Sequence, residues 1–196
     1  MSKISEFQKR VTTVFHDLKH NEPSVSSPVI PIYQKDVVVA ILRVISKSSL
    51  QNPSEIKKLA SWRRKSSRWF PSQFRVTLRG TKRWSQTQLL DKEDRILFMI
   101  EDLTGEAIGH LGFYRFDFAM YSCEVDNVIR GKVGIPGLMT SAIKVMCSWG
   151  MSVLGIRSYY LQCFPNNTKA MALYRRCGFK KVGESEHGMI HMKKMV

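Results

Sequence analysis

Acidic residues are scarce in this chain: 16 Asp and Glu stand against 31 Lys and Arg, leaving a formal charge of +15. That imbalance calls for an anionic ligand, a polyanion or an acidic surface, unless it serves solubility alone. The cations are dispersed rather than gathered in one run, and no compact nucleic-acid motif occurs, so a nucleic-acid partner is not expected. Cys123, Cys147, Cys163 and Cys177 form no CxxC pair and no zinc spacing, which argues for reduced, buried thiols and no metal. No stretch approaches the roughly 18 apolar residues of a membrane span. Met1 to Lys19 lack the apolar centre of a signal peptide, so a cytoplasmic location is expected. Internal repeats and low-complexity tracts are absent.

What is present suits a folded domain. The apolar share of 43% over 196 residues is enough for a sizeable core, read as a helix and linker extension at 1–35 and one domain at 36–196. Ile4, Phe7, Val11, Val14, Phe15 and Leu18 recur at helical spacing, and Pro23 to Pro31 reads as a linker. Val37 to Ile45 predicts a strand; Asn52 and Pro53 open a helix that carries Ile56, Leu59, Trp62 and several arginines and stops at Trp69-Phe70-Pro71. Between Phe70 and Leu90, aromatic and basic residues mix. They fit either a ligand surface or a second amphipathic helix with Phe74, Leu78 and Trp84 inward.

Ile96 to Ile100, Ala107 to Phe118 and Cys123 to Val128 predict three successive antiparallel strands. The last runs into Arg130-Gly131-Lys132-Val133-Gly134-Ile135-Pro136-Gly137 and then into a helix with one apolar face from Leu138 to Trp149, where Pro136 suits the first helical position. A basic, glycine-containing turn that opens a helix is a recipe for holding phosphate, because free amides and the positive helix end converge there. Ser158 to Phe164 predicts a buried strand, and Asn166 or Asn167 caps a helix that Gly178 stops, with Ala170, Leu173, Tyr174 and Cys177 inward. A terminal hairpin, Lys180 to Glu184 and Met189 to Met195, completes the order.

Asn167, Ala170, Leu173, Tyr174, Gly178 and Phe179, together with that order of elements over about residues 36–196, resemble the GNAT superfamily of acetyl-coenzyme A-dependent N-acetyltransferases. The resemblance implies an α/β (α+β) fold, a mixed and mostly antiparallel central sheet flanked by helices, with acetyl-CoA as co-substrate and no metal. The family's pyrophosphate turn has arginine or glutamine, two residues, glycine, one residue, then glycine or alanine. This chain holds the right residue types at another spacing, which leaves open which amides meet phosphate. The Glu-Val-Asp-Asn-Val-Ile-Arg-Gly run and the Pro-Gly-Leu-Met helix start are similar to GNAT proteins encoded with bacterial surface-polysaccharide genes. That branch implies an amino sugar, free or nucleotide-linked, as acceptor.

The resemblance assigns roles to residues. Tyr174 would protonate the departing thiolate; Val128, Arg130, Gly131, Lys132, Gly134, Gly137, Asn167 and Lys169 would bind the coenzyme. A backbone amide between Val125 and Val128 would hold the thioester oxygen. Glu124 and Asp126, on one face of an extended strand, are candidate bases, with His110 as a third. Arg63, Arg79, His110 and Asn127 are expected at the acceptor, where Arg64, Arg68 and Arg83 would also favour a phosphate-bearing substrate. Acetylation of a protein amine, a catalytically inactive GNAT fold and a basic nucleic-acid-binding module are the alternatives. The oligomeric state, a homodimer included, is left open.

Overall fold

The computed structural model describes residues 5–20, 29–185 and 188–196. One eight-stranded sheet organises it, from β1 (Ile30–Gln34), β2 (Val37–Val44), β3 (Ile96–Asp102), β4 (Ala107–Asp117), β5 (Ser122–Arg130), β6 (Ser158–Cys163), β7 (Lys180–Glu184) and β8 (Ile190–Met195), in the order β1-β2-β3-β4-β5-β6-β8-β7. Neighbours are antiparallel except β5 and β6, which run parallel. The helices are α1 (Glu6–His20), α2 (Pro53–Lys65), α3 (Leu78–Trp84), α4 (Leu138–Trp149) and α5 (Thr168–Arg176).

Strand alternation divides the apolar residues between two cores. Ile96, Phe98 and Ile100 of β3 pack with α1 and α4 on one face, while Leu97 and Met99 pack with Ile56, Leu59 and Trp62 of α2 on the other. A π-helical turn, Ser85–Leu90, follows α3 and delivers Leu89 and Leu90 to the second core. The second-helix expectation for 70–90 is thus met only in part. Phe74 and Leu78 are 57% and 52% exposed, because the chain from Phe70 to Thr77 runs irregularly past α2 instead of lying on the sheet. Trp84 does pack against the second core.

The N-terminal segment is built into the domain. Phe7, Val11 and Phe15 of α1 join the first core, whereas Ile4 and residues 23–28 of the expected linker lie outside the described residues. β1 is a strand that the linker reading missed. Pro31 is tolerated there because β1 is an edge of the sheet, where a missing donor breaks no inner ladder. Lys35 and Asp36, both at positive φ, turn the chain into β2, so the expected boundary at 35/36 falls between two paired strands.

At the end of α1, Lys19 is 1% exposed and its Nζ donates to the carbonyls of Leu89 (3.2 Å), Lys92 and Arg95 (3.2 Å). Burial pushes its pKa down to about 8, against the pull of Asp94, Glu93 and Asp91. The loop into β3 is thereby fixed to α1.

Candidate active site

Two departures from regular pairing open the sheet at its middle. On β4, His110 opposes Ile129 and Gly112 opposes Asp126, so β5 carries one residue more than its partner between these pairs. Asn127 takes the strain at φ +52°, and its side chain donates to Asp126 Oδ2 at 2.7 Å. The extra residue reverses the alternation beyond it: Val128 packs against the first core and Ile129 enters the second. On the other side of β5, pairing with β6 ends at Glu124 and Tyr160, although β5 runs on to Arg130 and β6 to Cys163. The two strands part there, which frees the β5 amides from Val125 onward on that edge. A cavity of about 1100 Å³ occupies the opening.

One half of the cavity is bounded by the basic turn and the two following helices. The Gly131 and Lys132 amides both donate to the Ile108 carbonyl, at 2.9 and 3.0 Å, leaving Val133, Gly134, Ile135 and Gly137 as the amides this turn can offer a ligand. Gly131 serves a different need from the one expected: a Cβ there would sit 2.1 Å from the Trp62 ring, so the indole of α2 lies directly on its backbone. α4 begins at Leu138, not at Pro136. Gly137 precedes it in the left-handed conformation, φ +75°, and the Gln34 side chain fastens the Pro136 carbonyl at 3.0 Å. Arg130 Nε donates to the Lys132 carbonyl at 3.2 Å, and Lys132 pairs with Glu106. Across the opening, Asn167 caps α5 by accepting from the Ala170 amide at 3.2 Å, and Lys169 is exposed beside the same cavity.

Tyr174 projects from α5 into the cavity lining, packed edge-on against Phe179 with ring centroids 6.2 Å apart. Burial, followed by the neighbouring Cys163, holds its hydroxyl firmly in the acid form. Glu124 and Asp126 share a face of β5 and both line the cavity. Asp126 is bound by buried Arg95, whose guanidinium lies between the Trp84 ring, 5.0 Å away, and the Tyr114 ring, 4.0 Å away. Glu124 accepts from Arg115 Nη1 at 3.2 Å. Burial, and then the charge of Asp126, push Glu124 up to about 7, with Arg115 and Arg95 pulling the other way. It is therefore the carboxylate poised to take up a proton near neutrality.

His110 lies under Trp62, with centroids 5.9 Å apart and Nδ1 buried without a partner. Burial pushes its pKa down to about 4, so the ring is neutral and a weaker base than Glu124 at neutral pH. Of the arginines expected at the acceptor, Arg63 and Arg68 line the cavity. Arg79 and Arg83 are exposed on α3, outside the lining, because α3 turns that side to solvent, and Arg64, also outside the lining, donates to the Val76 carbonyl at 3.3 Å. Sequence reading missed Arg95, Arg115, Tyr114 and Trp62. Their neighbours in sequence carry no motif; pairing of β4 with β5 brings in Tyr114 and Arg115, the approach to β3 brings in Arg95, and α2 lays Trp62 on the backbone of Gly131.

A sheet split beside a parallel pair, a glycine turn offering amides at a helix start, and a buried tyrosine opposite a titrating carboxylate define the class of acetyl-CoA-dependent N-acetyltransferases. The model of the acetyltransferase (GNAT) domain matches residues 50–180, and the chain belongs to that family. No curated protein matches the chain. Among solved structures, spermidine N-acetyltransferase of Vibrio cholerae, in complex with CoA and spermine, superposes with a TM-score of 0.67 at 17% identity, covering 80% of this chain and 95% of that one. Ribosomal-protein-S5-alanine acetyltransferase of Vibrio fischeri gives 0.63 at 18% identity, over 81% and 94%. A domain from Methanocaldococcus jannaschii gives 0.64 at 16%, over 80% and 98%. At these identities the likeness is one of fold. Among the described residues, no helix is long and apolar enough to cross a membrane, and no group of three or more metal-ligating side chains occurs.

Proposed function

We propose that this chain acetylates the primary amine of an amino sugar, free or nucleotide-linked, with Glu124 as proton acceptor and Tyr174 as proton donor. The observation that carries the proton assignment is Glu124: a buried carboxyl raised to about 7 at a cavity that also holds a protonated Tyr174. As the amine nitrogen bonds to the acetyl carbonyl carbon, its proton passes to Glu124, directly or through water. The oxygen that gains charge is held by a β5 amide between Val125 and Val128. When the carbon–sulfur bond breaks, Tyr174 gives its proton to the thiolate and regains one from solvent. Asp126, tied to Arg95, and Asn127 keep the strand and its bulge in place. The amides from Val133 to Gly137, with Arg130 and Lys169, hold the coenzyme phosphates.

The excess of basic residues favours a second reading, in which the amine belongs to an acidic protein. Melting the protein with and without acetyl-CoA, then following thiol release with UDP-linked amino sugars, glucosamine, spermidine and an alanine-ended peptide, separates the readings. Turnover on the sugars, with kcat lowered about 10² fold by Tyr174→Phe, supports the proposal. Turnover confined to spermidine or the peptide overturns the sugar assignment. No thermal shift at millimolar acetyl-CoA would put the binding-module alternative first.

A further inference from the structure

We propose that Arg63, stacked on Phe70 and Phe74, is an anchor for a phosphoryl group carried by the acceptor. The inference rests on the acetyl-transfer reading, which makes this half of the cavity the acceptor's. Among the described residues that line the cavity, the carboxylates are Glu124 and Asp126, and each is already held by an arginine, Arg115 and Arg95 respectively. Arg63 and Arg68 line the same half and have no carboxylate partner among the described ion pairs. The acceptor half is thus left with positive charge to neutralise. A polycation would meet no free carboxylate there, whereas a phosphate would meet two guanidinium groups.

The geometry of Arg63 suits an anion rather than a surface cation. Its guanidinium carbon lies 4.0 Å from the Phe70 ring centroid and 4.9 Å from that of Phe74, so both rings hold it in place. One donor, Nη2, is committed to the Ser72 carbonyl at 2.7 Å. The remaining N–H groups of a guanidinium fixed in this way form a fork that matches two phosphoryl oxygens. Burial lowers its pKa, with no carboxylate opposing that shift, as for a partly desolvated cation without an anion. Phe74, 57% exposed beside it, supplies an apolar face for the rest of the ligand. The turn from Arg130 to Gly137 is a separate group of residues in the lining of the same cavity.

The test uses the full chain saturated with coenzyme A, so that the coenzyme turn is filled, and titrates inorganic pyrophosphate by calorimetry at fixed ionic strength. A further binding event is expected. Arg63→Gln should weaken it by about 5 fold or more, while Arg79→Gln, which removes an equal charge outside the cavity, should leave it unchanged. No binding beyond coenzyme A, equal weakening by both variants, or tighter binding of spermidine than of pyrophosphate overturns the inference. If coenzyme A itself fails to bind, the acetyl-transfer reading falls and the anchor with it. If coenzyme A binds and pyrophosphate does not, the anchor alone falls.

Discussion

Replacing Arg95 by glutamine should move the pH dependence of the reaction and not merely weaken it. Asp126 is ion-paired with Arg95, and both side chains are largely buried, 22% and 11% exposed. Residues two apart on a strand are separated by about 7 Å. At that distance and an effective dielectric near 20, the charge on Asp126 acts on Glu124 with roughly 2 kcal/mol; Arg95 offsets part of this in the native protein, and losing that offset is a shift of about one pKa unit. The sign is upward, because a second negative charge disfavours ionising the first. With Glu124 starting at about 7, half is ionised at neutral pH in the native protein; one further unit leaves about a tenth ionised. Thiol release followed from about pH 6 to about pH 9 should then show kcat/KM reduced about 5 fold at pH 7 and recovering towards the native value near pH 9. Carbon-13 NMR of the labelled Glu124 carboxyl should report the same displacement without any acceptor. A loss uniform across pH, with the carboxyl titrating as before, would refute the division of roles between Asp126 and Glu124.

Two further outcomes follow from the same geometry. Glu124 has a native pKa raised from 4.5 to about 7, so the native state holds its proton more tightly than the unfolded chain. The resulting stability is full below about pH 4.5 and is lost as pH rises through 7, on the order of 3 kcal/mol. Glu124→Gln should therefore gain in melting temperature relative to the native protein between pH 5 and pH 8 while turnover collapses; a constant difference across that range would contradict the shift. Gly131→Ala would place a methyl 2.1 Å from Trp62, costing about 1 to 3 kcal/mol of stability and loosening the turn for acetyl-CoA. Native melting and native coenzyme affinity in this variant would show that Trp62 does not seat the turn.

Most of the strands and helices were legible because each obeys a local rule. Short apolar runs separated by turns marked β3, β4 and β5, and the 3.6-residue period marked α1, α4 and α5. Asn52 and Asn167 accept from amides at the first turns of α2 and α5, as their position before Pro53 and Thr168 suggested. Gly178 sits at φ +91° just past α5, a conformation few other residues accept cheaply. β1 escaped because Pro31 reads as a breaker, and only its place at the sheet edge makes it harmless. Phe74 and Leu78 look like core by composition, yet a short irregular path past α2 leaves them outside.

The amino-acid order determined the element sequence, the basic turn before α4, the position of Tyr174 and the sharing of one strand face by Glu124 and Asp126. These depend on neighbours within a few residues, where spacing and side-chain type carry the physics. Tertiary structure decided that Glu124 is buried and raised towards neutrality, which amides remain free and which arginines reach the cavity. Arg95 lies 31 residues from Asp126 in sequence, and Ile108, which takes the first two amides of the turn, sits on another strand. Burial and charge pairing at such separations exist only once the sheet has closed, so the raised proton affinity of Glu124 is a property of the fold and not of the strand that carries it.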